Sequence, residues 1–278
     1  MPKSNPKTNK RKLAESADKL KLYEEAVQMP DHEVRFFLQA FAEARDRAAH
    51  SLAEDFCGTA AVSCQWVKSD ERRTAVGIDT CEQTLQWGRE NNLAALNASQ
   101  QSRVTLLQQD VRDQPPGKFD ILAAQNFSFY FFKKRKELLD YFRIALERLA
   151  DDGIMVIDMM GGAECRIEGL SHTQVIREGK DGFKYQWKQV SYNPITSDAT
   201  CTISFSFPDG SRLNDAFVYR WRIWTIAEVR EILREVGFKN TYVYWAVEDD
   251  FGADEPGWRR REKAPSDASW TCYLVSLK

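Results

Sequence analysis

The chain has 278 residues, 43% hydrophobic, 29% charged and 12% aromatic, with a formal net charge of −2. That composition excludes a disordered chain and fits one large globular domain or a core domain with an insertion. The near-neutral charge excludes a whole-molecule field able to gather nucleic acid. No apolar run reaches membrane-spanning length, and residues 1–12 lack the apolar stretch of a secretory signal, so a soluble, cytoplasmic protein is expected. Six cysteines, at positions 57, 64, 81, 165, 201 and 272, show no C-x-x-C spacing. They read as reduced, scattered thiols, and no metal site is expected.

Residues 1–12 carry Lys3, Lys7, Lys10, Arg11 and Lys12 without apolar periodicity, which predicts a disordered basic tail. Apolar residues at helical spacing predict helices over 13–28 and 31–49. Asp31 is the expected N-cap of the second, whose Val34, Phe37, Leu38 and Phe41 share one face. Residues 13–50 together are expected to form a helical lid.

From residue 51 onward strand-like and helix-like segments alternate. Strands are predicted over 51–54, 74–79, 103–109, 119–124 and 154–159, and helices over 60–68, 82–96 and 134–149. Alternation at this spacing predicts an α/β, Rossmann-like, doubly wound sheet, because parallel strands need crossover helices. The pattern breaks after Gly161-Gly162. Three β segments, 183–192, 199–207 and 214–223, the last two joined by Pro208-Asp209-Gly210-Ser211, predict an antiparallel β insertion at about 166–224 after strand five. A helix over 225–236, stopped by Gly237, then precedes an antiparallel C-terminal hairpin of 241–247 and 270–277. Seven strands in the main sheet are expected.

The stretch L-A-E-D-F-C-G-T-A, from Leu52 to Ala60, is a short strand turning on Gly58 into a helix. Asp79 ends the next strand. A glycine turn lets backbone N–H groups approach a ligand, and a carboxylate on the neighbouring strand can accept both hydroxyls of a ribose. A dinucleotide would need G-x-G-x-x-G for its pyrophosphate, whereas only Gly58 stands in this loop. A nucleoside cofactor without phosphates and with a charged amino acid tail fits better, and Glu54 can orient its ammonium group.

On these residues the sequence resembles the class I S-adenosylmethionine-dependent methyltransferases over roughly 51–160. E-D-F-C-G-T-A is similar to their first motif at Glu54 and Gly58, with Phe56 and Ala60 where the family usually has glycine. The resemblance implies S-adenosylmethionine as cofactor. It places Glu54, Phe56, Cys57 and Gly58 in the cofactor loop and Asp79 with Thr80 at the ribose. Asp110 and Val111 fall at the adenine, and Asn126 with Phe127 beside the transferable methyl. Tyr23 would cover the cofactor; Trp87 and Gly88 either line the pocket or belong to the core.

Methyl transfer from a sulfonium is a displacement in which alignment supplies much of the rate, and a base is needed only if the acceptor must lose a proton in the step. Candidate catalytic residues are Asn126, Ser128 and Tyr130 of N-F-S-F-Y, which can hydrogen-bond an acceptor. That run shares only its asparagine and aromatics with the N-P-P-Y motif of amino methyltransferases acting on nucleic-acid bases or protein amides. His32, His50 and His172 are candidate bases with no visible partner, and Asp158 reads as structural. The insertion, with Tyr185, Trp187, Tyr219 and Trp221 interleaved with Arg212, Arg220 and Arg222, can cap a pocket in which arginine holds a carboxylate. It is reminiscent of small-molecule N-methyltransferases of the glycine and sarcosine type. The expected partner is a small-molecule acceptor methylated at nitrogen by in-line displacement, with nucleic acid unlikely and no membrane contact. An RNA or protein methyltransferase docking through the basic tail and residues 133–136, and a non-catalytic cofactor-binding protein, are the alternatives.

Overall fold

A computed structural model describes residues 12–247 and 257–278. The basic tail lies outside these residues, apart from Lys12. No described helix is long and apolar enough to cross a membrane.

The main sheet forms around β1 (Ser51–Asp55), which pairs in parallel with β2 (Thr74–Asp79) on one side and β4 (Phe119–Ala124) on the other. β3 (Val104–Gln108) extends it beyond β2 and β5 (Leu149–Gly161) beyond β4. The strand order reverses at β1, so the crevice beyond the carboxyl ends of β1 and β4 is the natural ligand site of such a sheet. β12 (Trp270–Leu277) pairs antiparallel with β5, and β10 (Asn240–Val247) pairs antiparallel with β12, as the hairpin expectation required.

The sheet has eight strands, not seven, because β11 (Gly257–Arg261) adds an edge to β10. The insertion likewise has four strands: β6 (Ser171–Arg177), β7 (Phe183–Asn193), β8 (Asp198–Ser206) and β9 (Arg212–Arg222) in sequential antiparallel order. Both unforeseen strands, Gly-Trp-Arg-Arg-Arg and Ser-His-Thr-Gln-Val-Ile-Arg, lie at sheet edges. Edge strands meet water on more than one side, so neither needs the apolar alternation by which a strand is recognised.

Two helix expectations change. α1 (Leu13–Ser16) and α2 (Lys19–Val27) replace one helix, with Asp18 between them capping α2 through Leu20 N at 2.9 Å. α3 (Pro30–Ala44) starts at Pro30, so Asp31 is inside the first turn and is not its N-cap. Proline suits that start because its φ is helical already and its missing N–H would have had no partner there. α3 buries Val34, Phe36, Phe37, Ala40 and Phe41 against the main sheet and α4 (Ala61–Lys68), so it is a core helix. Of these three N-terminal helices, α1 and α2 are the ones that pack on the insertion.

The remaining helices are α5 (Glu82–Gly88), continued by a wider π turn over Arg89–Leu93, α6 (Ala98–Gln101), α7 (Arg135–Arg148) and α8 (Ile226–Val236). α8 begins with a reciprocal Thr225–Glu228 capping box and ends on Gly237 at φ 118°. A left-handed residue there costs glycine nothing.

Candidate functional site

The two acids ending β1 point to opposite faces of the sheet, as strand alternation requires. Asp55 turns toward α7, where Arg148 Nη1 donates to its carboxylate at 2.7 and 3.0 Å and Tyr141 Oη donates at 3.0 Å. That fully buried pair is internal structure. Glu54 turns toward α4 and accepts from Ser63 N at 2.8 Å and Ser63 Oγ at 2.5 Å. Burial, with the Asp79 and Asp55 carboxylates nearby, pushes Glu54 up to about 7 despite those hydrogen bonds.

After β1 the backbone is left-handed at alternate residues: Phe56 (φ 58°), Gly58 (φ 54°) and Ala60 (φ 59°). Phe56 and Ala60 therefore keep the glycine conformation without being glycine, at roughly 1–2 kcal/mol each. Packing offsets this for Phe56, whose ring meets Phe132 and Tyr141 edge-on at centroid distances of 5.9 and 5.7 Å. Ala60 is completely buried. Asp79 secures the loop, Oδ2 accepting from Gly58 N at 2.9 Å and Oδ1 from Cys81 N at 2.8 Å.

Gly88 belongs to the core and supports this loop from behind. A Cβ there would lie 2.4 Å from the Thr59 carbonyl oxygen and 2.9 Å from its carbon, so backbone would have to move. Gly88→Ala is expected to cost roughly 2–3 kcal/mol and to disturb residues 56–60. A denaturation midpoint equal to that of the parent protein would show that the loop yields freely.

Two cavities open at the carboxyl edge of the sheet. The first, about 300 Å³, is bordered by Phe56, Asp79, Thr80, Asp110, Val111 and Ser128. Asp110 is held by Arg112, whose Nε and Nη2 donate at 2.9 and 2.7 Å and pull the carboxyl below its usual range. The second, about 270 Å³, lies beneath the insertion and is bordered by Phe127, Met160, Glu164, Tyr185, Trp187 and Trp270, among others. Tyr23, Asn126, Tyr219 and Trp221 line both.

The wall between the cavities is built on strain. Asn126 and Phe127 are both left-handed, at φ 57°, and their N–H groups donate to Asp158 Oδ2 and Oδ1, each at 2.8 Å. Two charge-assisted bonds, worth roughly 1.5–3 kcal/mol each, offset two strained residues. Burial raises Asp158 to about 7 against the pull of those N–H groups. Glu33 of α3 rises further, to about 8, through burial and then the Asp158 carboxylate, although Tyr273 Oη donates to it at 3.0 Å. No lysine or arginine is among the main influences on Glu33, Glu54 or Asp158.

Of the residues singled out in the sequence, Tyr23, Phe56, Asp79, Thr80, Asp110, Val111, Asn126 and Ser128 meet at the first cavity, and Phe127 stands at the second. Glu54, Cys57 and Gly58 lie behind the first cavity's lining. Cys57 is buried and its thiol is pushed well up by burial. Tyr130 is not free to touch an acceptor, because it is fully buried and its hydroxyl donates to Met160 O at 2.7 Å. His32 accepts from Trp258 Nε1 at 2.6 Å, away from both cavities, while His172 borders the second. Trp87 borders neither cavity; its Nε1 donates to Asp18 at 2.6 Å. Arg212, Arg220 and Arg222 border neither cavity. Arg220 is exposed between the inward Tyr219 and Trp221, and Arg222 donates to Lys133 O and Glu228. Strand alternation turned these arginines away from the aromatic face, which sequence order alone had made adjacent to them. Glu33 and Glu164 lay outside the sequence reading, since neither belongs to a recognisable spacing.

α2 fastens the two halves together. Glu24 accepts from Thr59 Oγ1 in the loop after β1 and from Asn92 Nδ2 at 2.6 Å, the latter brought inward by the π turn. On its other side, Tyr23 meets Phe217 at 5.0 Å between ring centroids, Arg177 pairs with Glu25 at 3.2 Å, and Leu22 joins Phe183, Ile203 and Phe205 in one apolar cluster.

No protein-family model and no curated protein sequence matches the chain. Solved structures do. A S-adenosylmethionine-dependent methyltransferase from Clostridium acetobutylicum is 14% identical, with a TM-score of 0.66 over 92% of this chain and 96% of that one. CalS10, an amino pentose methyltransferase from Micromonospora echinaspora, is 14% identical, with a TM-score of 0.67 over 92% and 94% of the two chains. The sugar N-methyltransferase KedS8 from a Streptoalloteichus species is 15% identical, with a TM-score of 0.65 over 100% and 98%. The chain has the fold of these methyltransferases.

Proposed function

We propose that this chain is a S-adenosylmethionine-dependent methyltransferase that methylates a small molecule at an amine nitrogen. The observation that carries the reading is the pair of cavities at the carboxyl edge of the sheet, one acid-bordered and one aromatic, sharing Tyr23, Asn126, Tyr219 and Trp221 as a common wall. Methyltransferase-fold relatives that act on amino sugars and sugars support the substrate size.

The residues fit the cofactor. Asp79 already accepts two backbone N–H groups, yet a carboxylate has further lone pairs for two ribose hydroxyls. Asp110 and Val111 border the same cavity and would meet the adenine. Glu54, Asp158 and Glu33 are buried carboxyl groups held partly protonated by burial, and a bound ammonium or sulfonium would favour their charged forms. When bound, the cofactor supplies a methyl group on a positively charged sulfur.

The chain's own contribution is alignment and exclusion of water. Asn126 lies in the wall where donor and acceptor would meet, and Asp158 fixes the backbone that presents it. Nitrogen is favoured because an ammonium that gives its proton to solvent or to His172, beside Glu164, presents a lone pair, whereas a hydroxyl needs a base acting during the transfer itself. Tyr23 and Cys165 of the aromatic cavity are poor bases, since burial pushes them up to about 12 and about 11 and so keeps both protonated, which leaves His172, beside Glu164, as the candidate base of its lining. A cavity of about 270 Å³ has room for a group the size of a single ring.

Titration calorimetry with S-adenosylmethionine and its demethylated product tests the cofactor. Both are expected to bind and NAD is not; failure of both to bind sinks the reading. Turnover with any amine then separates an enzyme from a protein that only binds the cofactor.

A further inference from the structure

We propose that the acceptor is an amine carrying no carboxylate of its own, and that Glu164 is the residue that selects it. The name of the reaction rests on the methyltransferase reading, but the charge pattern of the aromatic cavity does not. Among the described residues bordering that cavity there is no lysine or arginine. Its one carboxylate is Glu164.

Glu164 is placed there by backbone. After β5, Gly162 turns the chain at φ 105°, and the short helix Glu164–Arg166 begins with Glu164 N donating to Ala268 O at 2.9 Å. Its Oε2 lies 3.4 Å from His172 Nε2, on β6. The neighbouring Arg166 borders a separate surface hollow with Asp267 and Ala268. Across the aromatic cavity Trp187, Tyr219 and Trp221 form a wall, with centroid distances of 5.8 Å from Trp187 to each of the others and 4.5 Å between Tyr219 and Trp221.

These features discriminate by charge. Aromatic faces attract a cation, and a carboxylate at the rim adds to that attraction. An acceptor bearing its own carboxylate would find no lysine or arginine to hold it and would face Glu164, which already engages His172, the histidine of the lining. Amino acids are thereby disfavoured, while an amine on a compact ring is accepted.

The probes are benzylamine, phenylacetate and phenylalanine, which share a ring and differ in charge. Binding is measured by calorimetry and by tryptophan fluorescence on the full chain, with and without S-adenosylhomocysteine. Benzylamine is expected to bind at least tenfold more tightly than phenylacetate or phenylalanine. Glu164→Gln is expected to weaken benzylamine at least tenfold and to narrow the gap; both Glu164 and His172 are partly exposed, so the variant should fold. Equal or tighter binding of phenylacetate, no binding of benzylamine, or an unchanged preference in Glu164→Gln overturns the proposal. If amine preference is seen but S-adenosylhomocysteine does not bind, the methyltransferase reading fails and this one stands.

Discussion

Asp79→Ala is expected to weaken S-adenosylmethionine binding at least 100-fold and to lower stability by about 2 kcal/mol. Two effects combine. The carboxylate borders the cavity, where it would accept the ribose hydroxyls, and it also ties Gly58 N and Cys81 N, at 2.9 and 2.8 Å, into one frame. Each charge-assisted bond is worth roughly 1.5–3 kcal/mol, and its loss leaves an N–H without its partner. The loop is strained at Phe56 and Ala60, so it has little reason to hold its shape once that clamp is gone. Asp79→Asn should fall between the two, since an amide offers one accepting oxygen and cannot serve both N–H groups. Calorimetry and chemical denaturation together separate lost affinity from lost structure. A variant that binds like the parent protein removes Asp79 from the cofactor site.

Without cofactor, the protein is expected to be more stable near pH 5.5 than near pH 8, by a few kcal/mol. Glu33 is raised to about 8, and Glu54 and Asp158 to about 7, whereas unfolded carboxylates titrate near 4 to 4.5. Between those values the folded protein binds more protons than the unfolded chain. Raising pH across that window therefore lowers stability, by up to roughly 1.4 kcal/mol per group per pH unit. A cation bound among these groups favours their charged forms, so cofactor binding should release protons and tighten between pH 6 and pH 8. Urea denaturation across this range, and calorimetry in buffers of different ionisation enthalpy, check both signs. Glu33→Gln should flatten the stability slope. Stability that rises steadily from pH 5.5 to pH 8, or cofactor binding that takes protons up, would falsify the charge assignment.

Much of the first cavity's lining was legible from sequence because strands report their ends. Asp79, Asp110 and Asn126 each follow an apolar run, and the parallel sheet brings the carboxyl ends of such runs together at the switch point. The aromatic cavity was legible only in composition. Tyr219 and Trp221 were visible as aromatics, but their separation from Arg220 depends on which way β9 faces, and so on its pairing with β8. Tyr130 illustrates the converse. Its neighbours Asn126 and Ser128 border a cavity, while the 3-10 turn after Phe127 carries its hydroxyl inward to Met160.

The departures from glycine at Phe56 and Ala60 mark where sequence stops and structure begins. Residue type states that left-handed backbone is costly there; it does not state that neighbouring side chains will hold it regardless. Phe132 and Tyr141, distant in the chain, offset that cost for Phe56. By itself the sequence determined the alternating strands and helices, the acids at the strand ends and the aromatic insertion, because periodicity and turn chemistry are local. Only the tertiary structure decided that Glu33 and Asp158 are both buried and raised, that α2 spans both halves, and that Glu164 is the aromatic cavity's one carboxylate among the described residues. Those outcomes follow from burial and from distances between residues far apart in the chain, and a linear pattern carries neither.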